Sequence, residues 1–387
     1  MRGKAVVERL VALAAAASVF VAACDATPSL TPRLTVPTPS GMAEPSPSPS
    51  PTARPIPPPT PSGIVQVNMR EIRGAEGRFG ASGVWTGSEV LVWGGLWYPS
   101  FFFGPNRYRR SGNGFDPATD TWRPIPKAPI SGRYRHLAAW TGSEMLVWGG
   151  FTEHWRPGRD PEGAAYNPRT DRWRTMAPSP LPWGQGPVAV MADGEWIVAA
   201  TRNSGEVLVA AYDPVADSWL RLPTIPAPMT RENSLAWTGT ELVLVNSQDR
   251  MVRLPDGAAA WIDSTDVPLD VDEIAWTGHE LLGLPNSLGV RPLERYVAES
   301  DEWVDVPGPA FEHGSMVWTG EQLIVEGPDL AFEPATGLWY GLAWPKDPML
   351  AREDHVSVWT DYGLFEWGGG PGKGDLYNNG VLFTPEW

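Results

Sequence analysis

From residue 63 to the C-terminus, apolar and polar positions alternate in short runs broken by Gly, Pro, Asn and Asp. Period-two alternation marks a half-buried strand, and the breakers are turn formers. HLAAW at 136–140 and EMLVW at 144–148 are two such runs, separated by Thr141-Gly142. The pair recurs. WTGSEVLVWGG begins at Trp85 and WTGSEMLVWGG at Trp140, with weaker copies at Met191, Trp237, Trp276, Trp318 and Trp359. The seven starts are spaced by 55, 51, 46, 39, 42 and 41 residues. Between them lies a second signal: FDPATDTW ends at Trp122, YNPRTDRW at Trp173, YDPVADSW at Trp219, YVAESDEW at Trp303 and FEPATGLW at Trp339. RLPDGAAAW, ending at Trp261, is a poor copy, and the C-terminal FTPEW is a truncated one.

Each interval predicts four strands. Thr-Gly turns strand one into strand two, Asn/Asp-Pro-x-Thr-Asp turns strand three into strand four, and the Trp opens strand four. Four strands every 40 to 50 residues predict a β-propeller. The Gly-Gly after strand two, together with the aromatic-Asp-Pro-x-Thr-x-x-Trp pattern, resembles kelch repeats across residues 63–387. The resemblance is strong in repeats one and two and loose in three to five, where Ala199-Ala200, Asn246-Ser247 and Pro285-Asn286 stand in place of Gly-Gly. The WD signature is absent, and DPATDTW lacks the Gly of a sialidase Asp-box. The expected fold is all-β, a seven-bladed β-propeller of kelch type. The seventh repeat stops before its fourth strand, so GIVQVNMREIR at 63–73 is expected to supply it and close the ring.

Residues 1–23 read as a signal peptide: Arg2, Lys4 and Arg9 precede an apolar run from Leu10 to Ala23. That run is too short to span a bilayer, which takes roughly 20 residues. Val21-Ala22-Ala23-Cys24 resembles the lipobox of bacterial lipoproteins, in which the cysteine is lipidated. Residues 24–62 are rich in Pro, Ser and Thr and read as a disordered linker. The expected localisation is exported, lipid-anchored through Cys24 to the outer face of the cell membrane.

Net charge is −15, and the basic leader makes the remainder more acidic still. Such a surface repels phosphate backbones, so no nucleic-acid partner is expected. Cys24 is the only cysteine, which excludes internal disulfides and cysteine metal clusters. Kelch propellers include galactose oxidase, whose copper site uses a cysteine joined to tyrosine; no cysteine here is free for that role. No catalytic residue, cofactor or metal is assigned. His136, His313 and His355 recur at one place in the repeat and read as structural, as do the two Trp series and the turn aspartates. The acidic stretch 263–273 lacks EF-hand spacing and reads as a solvated loop.

Strand direction sorts the loops. The one–two and three–four turns share one face of the ring, and the two–three and four–one loops share the other. The second, here the loop face, carries the irregular segments 95–114 and 150–165. It gathers Trp97, Tyr98, Arg107, Arg109, Arg110, Arg133, Arg135, Trp155, Arg156 and Arg159, with Arg78, Arg231 and Arg352 in four–one loops. Arginine beside aromatics is the composition of binding hot spots. The expected function is a surface-tethered module that binds a glycan, peptide or protein ligand on this face. A sugar-directed enzyme of the sialic-acid-processing type is the alternative.

Overall fold

The structure is a computed structural model. It describes residues 61–97, 107–153, 162–182, 185–202, 204–225, 233–246, 250–264, 271–285, 290–311, 314–345, 352–370 and 376–387. The signal peptide, Cys24, almost all of the linker, His313, Tyr98, Trp155, Arg156, Arg159 and Arg231 lie outside these. Every regular element among the described residues is a strand.

Seven antiparallel units of four strands follow one another along the chain. Blade one is Ser82–Trp85, Val90–Trp93, Gly112–Asp116 and Thr121–Ile125. Blade two is Leu137–Trp140, Met145–Trp148, Gly163–Asn167 and Arg172–Thr175. Blade three runs from Gln185–Ala192 to Ser218–Arg221, blade four from Asn233–Trp237 to Ile262–Asp263, blade five from Val271–Trp276 to Glu302–Phe311, and blade six from Ser315–Trp318 to Leu338–Ala343. Blade seven has Val356–Thr360, Gly363–Trp367 and Asn379–Pro385, and its fourth strand is Gly63–Arg73.

The turns form for local reasons. Thr86 Oγ1 accepts from the amide of Glu89 at 3.0 Å, and Thr141 Oγ1 from that of Glu144 at 3.0 Å. Gly87 and Gly142 sit at φ of 91° and 88° with open space around them, so backbone conformation alone selects glycine there. In the three–four turns Asp116 Oδ1 accepts from Ala118 at 2.8 Å, and Asp213 Oδ1 from Val215 at 2.8 Å, closing Asx turns. Asp120, Asp171, Asp217 and Asp301 then adopt positive φ, a conformation Asp tolerates.

Closure appears in the core. Buried side chains form seven clusters, and each spans a junction between consecutive blades. One joins Phe365 and Trp367 of blade seven to Val90 and Phe115 of blade one. The strand-four tryptophans work at the same junctions. The indole of Trp122 donates to Arg73 O at 3.0 Å, that of Trp173 to Pro126 O at 2.8 Å, and that of Trp219 to Ala177 O at 3.0 Å.

Two features lie beyond the sequence reading. Gly63–Arg73 is longer than the strand it completes. Val67 to Arg73 pair antiparallel with Asn379–Pro385, while Gly63 to Gln66 pair in parallel with Tyr340 to Ala343 of blade six. One strand therefore fuses blades six and seven into an eight-stranded sheet. The long two–three loops also pair outside the blades: Leu96–Trp97 with Arg107–Tyr108 of the same loop, and Phe151–Thr152 with Arg133–Tyr134 of a four–one loop.

Candidate binding face

The loop face begins with glycines. Gly94-Gly95, Gly149-Gly150 and Gly368-Gly369 all have positive φ, and in blades one and seven the first glycine admits the next blade closely. A Cβ on Gly94 would lie 2.5 Å from His136 Cε1, and one on Gly368 2.7 Å from Arg78 O. Arg78, Arg133 and Arg352 fill the space beside them. Arg133 Nη1 donates to Gly149 O at 2.7 Å and Glu162 O at 2.9 Å, its Nε to Ser131 O at 3.0 Å, and its Nη2 to the Glu162 carboxylate at 2.8 Å. Arg78 donates to Gly94 O and Ser111 O, and Arg352 to Gly368 O at 2.8 Å and Asn379 O at 3.1 Å. The main chain of two of them reaches the other way. Gly95 N donates to Arg133 O at 2.7 Å, and Gly369 N to Arg78 O at 2.8 Å. Arg133 thus staples blade one to blade two, and Arg78 staples blade seven to blade one. Burial pushes the Arg78 guanidinium down to about 10, and Arg133 downward too; Arg78 is still a cation near neutral pH.

All three arginines are buried, and their donors point inward to the framework. Their place in the sequence puts them on the same face as the other arginines; their geometry makes them part of the scaffold. His136 is framework as well. Its Nε2 shares a 2.5 Å hydrogen bond with Ser82 Oγ, its ring meets Trp93 edge-on at 4.8 Å, and burial pushes it down to about 3, so it is neutral. Among the described residues no cluster of His, Cys, Asp and Glu is arranged to hold a metal.

The remaining arginines differ. Trp97 lies with the Arg107 guanidinium 5.2 Å from its ring centre and that of Arg109 at 5.5 Å. Arg109 also pairs with Glu76 at 2.5 Å. Residues 107–114 and the Arg133 loop meet on one face, since Arg133 N donates to Arg109 O at 3.2 Å. Tyr108, Tyr134 and Phe151 continue the surface as a ladder with ring centres 5.9 and 5.4 Å apart. Arg135, 54% exposed, holds Asp354 in a two-bond fork of 2.7 and 2.6 Å and lies 5.9 Å from both the Phe79 and Tyr134 rings. The Arg110 side chain is exposed, while its carbonyl accepts from the Trp93 indole at 3.2 Å. Tyr108, Tyr134, Phe151, Glu76 and Asp354 are not among the residues that the sequence pattern picks out. The tripeptide Arg-Tyr-Arg, at 107–109 and again at 133–135, is the signal that marks the two tyrosines.

No family model matches the chain. An F-box/kelch-repeat protein of Arabidopsis thaliana is 26% identical over 167 residues, which are 39% of this chain and 43% of the relative. Kelch-like protein 33 of Homo sapiens is 31% identical over 114 residues, 28% of this chain and 21% of that protein. The fold is a kelch-type β-propeller. The chain spans less than half the length of either relative. The solved structure of YjhT covers 81% of this propeller and 99% of its own chain at 14% identity, with a TM-score of 0.48.

Proposed function

We propose that this propeller is a surface-tethered binding module whose ligand sits on the loop face of blades one and two. The observation that carries this reading is Trp97 with two guanidinium groups against its ring, continued by the Tyr108, Tyr134 and Phe151 ladder. The flat rings offer apolar contact, and the cations beside them suit carboxylates. Kelch propellers commonly serve as protein-binding modules, which favours a polypeptide bearing Asp or Glu; a carboxylate-bearing glycan is the other candidate. An array of acidic peptides and glycans, probed with the full chain, separates the two. Trp97→Ala and Arg109→Ala are each expected to weaken the ligand found by about 1.5–3 kcal/mol, the range for charged hydrogen bonds and aromatic anchors. Thr141→Ala, on the opposite face, is expected to leave affinity unchanged. A ligand indifferent to Trp97 and Arg109 sinks the reading.

The tether belongs to the same proposal. A lipidated Cys24 followed by a proline-rich spacer would hold the binding face away from the bilayer. Cys24→Ser is expected to move the protein from the membrane to the soluble fraction. Retention of that variant on the membrane would contradict the anchor.

A further inference from the structure

The turn face repeats one device in blades one, two, four and five, and blade three keeps only its acidic half. A glutamate precedes or opens strand two in blades one to five: Glu89, Glu144, Glu195, Glu241 and Glu280. In four of them an arginine of the same blade answers it. Arg123 meets Glu89 at 2.6 Å, Arg174 meets Glu144 at 2.7 Å, Arg253 meets Glu241 at 3.4 Å and Arg295 meets Glu280 at 3.3 Å. The first two arginines also cross to the next blade, donating to Tyr166 Oη at 3.1 Å and Tyr212 Oη at 3.0 Å. In blade three the place of Arg123 and Arg174 is taken by Leu220, which is 63% exposed. The place Arg253 and Arg295 hold on strand three is taken by Ala211. Glu195 has no ion pair among the described residues.

The next blade has changed to match. The residue of strand three that pairs with the start of strand two is aromatic in six blades: Phe115, Tyr166, Tyr212, Tyr296, Phe332 and Phe383. In blade four it is Leu254, opposite Leu242. With both the arginine and the ring gone, the junction of blades three and four holds a cavity of about 220 Å³. Its walls are Ile197, Leu222, Pro223, Trp237, Leu242 and Leu254. Glu195, Asp193 and Asp256 stand among the lining residues as its only charged groups.

We propose that this cavity receives an arginine side chain from a partner polypeptide, its guanidinium on Glu195 and its stem along Trp237 and Leu254. The partner would supply in trans the cation that Arg123 and Arg174 supply in cis one and two junctions earlier. The volume is below the roughly 300 Å³ at which small-molecule sites begin, so it suits one side chain rather than a whole ligand. Walls of hydrocarbon with acid groups as the only charges select a cation on an apolar stem. The strongly acidic protein adds long-range attraction for a basic partner. The site lies on the turn face, away from the arginines of the loop face, and stands independently of the function proposed above.

The test is calorimetric titration of the full chain with N-acetyl-arginine amide and with its neutral isostere, N-acetyl-citrulline amide. The arginine compound is expected to bind saturably and the citrulline compound at least tenfold more weakly. Glu195→Gln is expected to weaken the arginine compound at least tenfold. Leu220→Arg, a change at an exposed position that offers Glu195 an internal guanidinium, is expected to abolish binding, while Trp97→Ala on the other face leaves it unaltered. No binding to the wild type, equal binding of citrulline, or undiminished binding to Leu220→Arg would each overturn the proposal.

Discussion

Deleting Gly63–Arg73 is expected to leave no folded monomer. The strand buries Val65, Val67 and Ile72, the last fully, in the clusters that join blades six, seven and one. Burying one such side chain stabilises by about 1.5–3 kcal/mol, so three of them amount to roughly 5–9 kcal/mol. That is comparable with the whole stability of a typical domain, about 5–15 kcal/mol. The deletion also strips pairing partners from Asn379–Pro385 and from Tyr340 to Ala343, exposing two sheet edges. Circular dichroism and size-exclusion chromatography are expected to show aggregate or unfolded chain. Deletion of residues 25–60, which precede the strand, is expected to leave the melting temperature where it was. A folded, monomeric propeller without Gly63–Arg73 would show that blade seven closes some other way.

Arg133→Ala is expected to destabilise the propeller by about 2–4 kcal/mol, from the lost packing of a buried side chain and of its charged hydrogen bonds to backbone carbonyls. The side chain is 2% exposed and satisfies three backbone carbonyls and the Glu162 carboxylate. Alanine would leave Gly149 O without this donor, at about 1–3 kcal/mol for a buried acceptor left unpaired, while Glu162 O keeps the Gly149 amide at 3.3 Å. Arg133→Lys is expected to recover little, because an ammonium cannot aim donors at four acceptors from one plane. Arg135, two residues on and half exposed, is the control. Its bond to Asp354 is open to solvent, and Arg135→Ala is expected to change stability by about 1 kcal/mol or less. Denaturant midpoints at unchanged m-value read both. Equal losses at the two positions would mean that the Arg133 side chain is not a buried anchor of its loop.

Much of the architecture was legible in the chain itself, because it resides in local signals. Thr-Gly and Asx-Pro turns declare themselves through backbone conformation and short-range hydrogen bonds, and repetition turned weak copies such as the one at Met191 into readable strands. The seventh blade lacked a strand and residues 63–73 lacked a place, so closure followed from counting. Tertiary structure decided what residues do when their neighbours come from other blades. Arg78, Arg107, Arg109, Arg133 and Arg135 are alike as sequence, all loop arginines beside aromatics. Only packing separates Arg78 and Arg133, sunk among backbone carbonyls, from Arg107 and Arg109 against Trp97. Pairing of Gly63 to Gln66 with blade six was equally hidden, since strand length fixes how far a strand reaches but not which edge it meets. The cavity between blades three and four needed both views. Leu220 and Leu254 are unremarkable alone, 34 residues apart. They share a junction only because one blade packs against the next, and there the absence of an arginine and of a ring becomes one space beside Glu195.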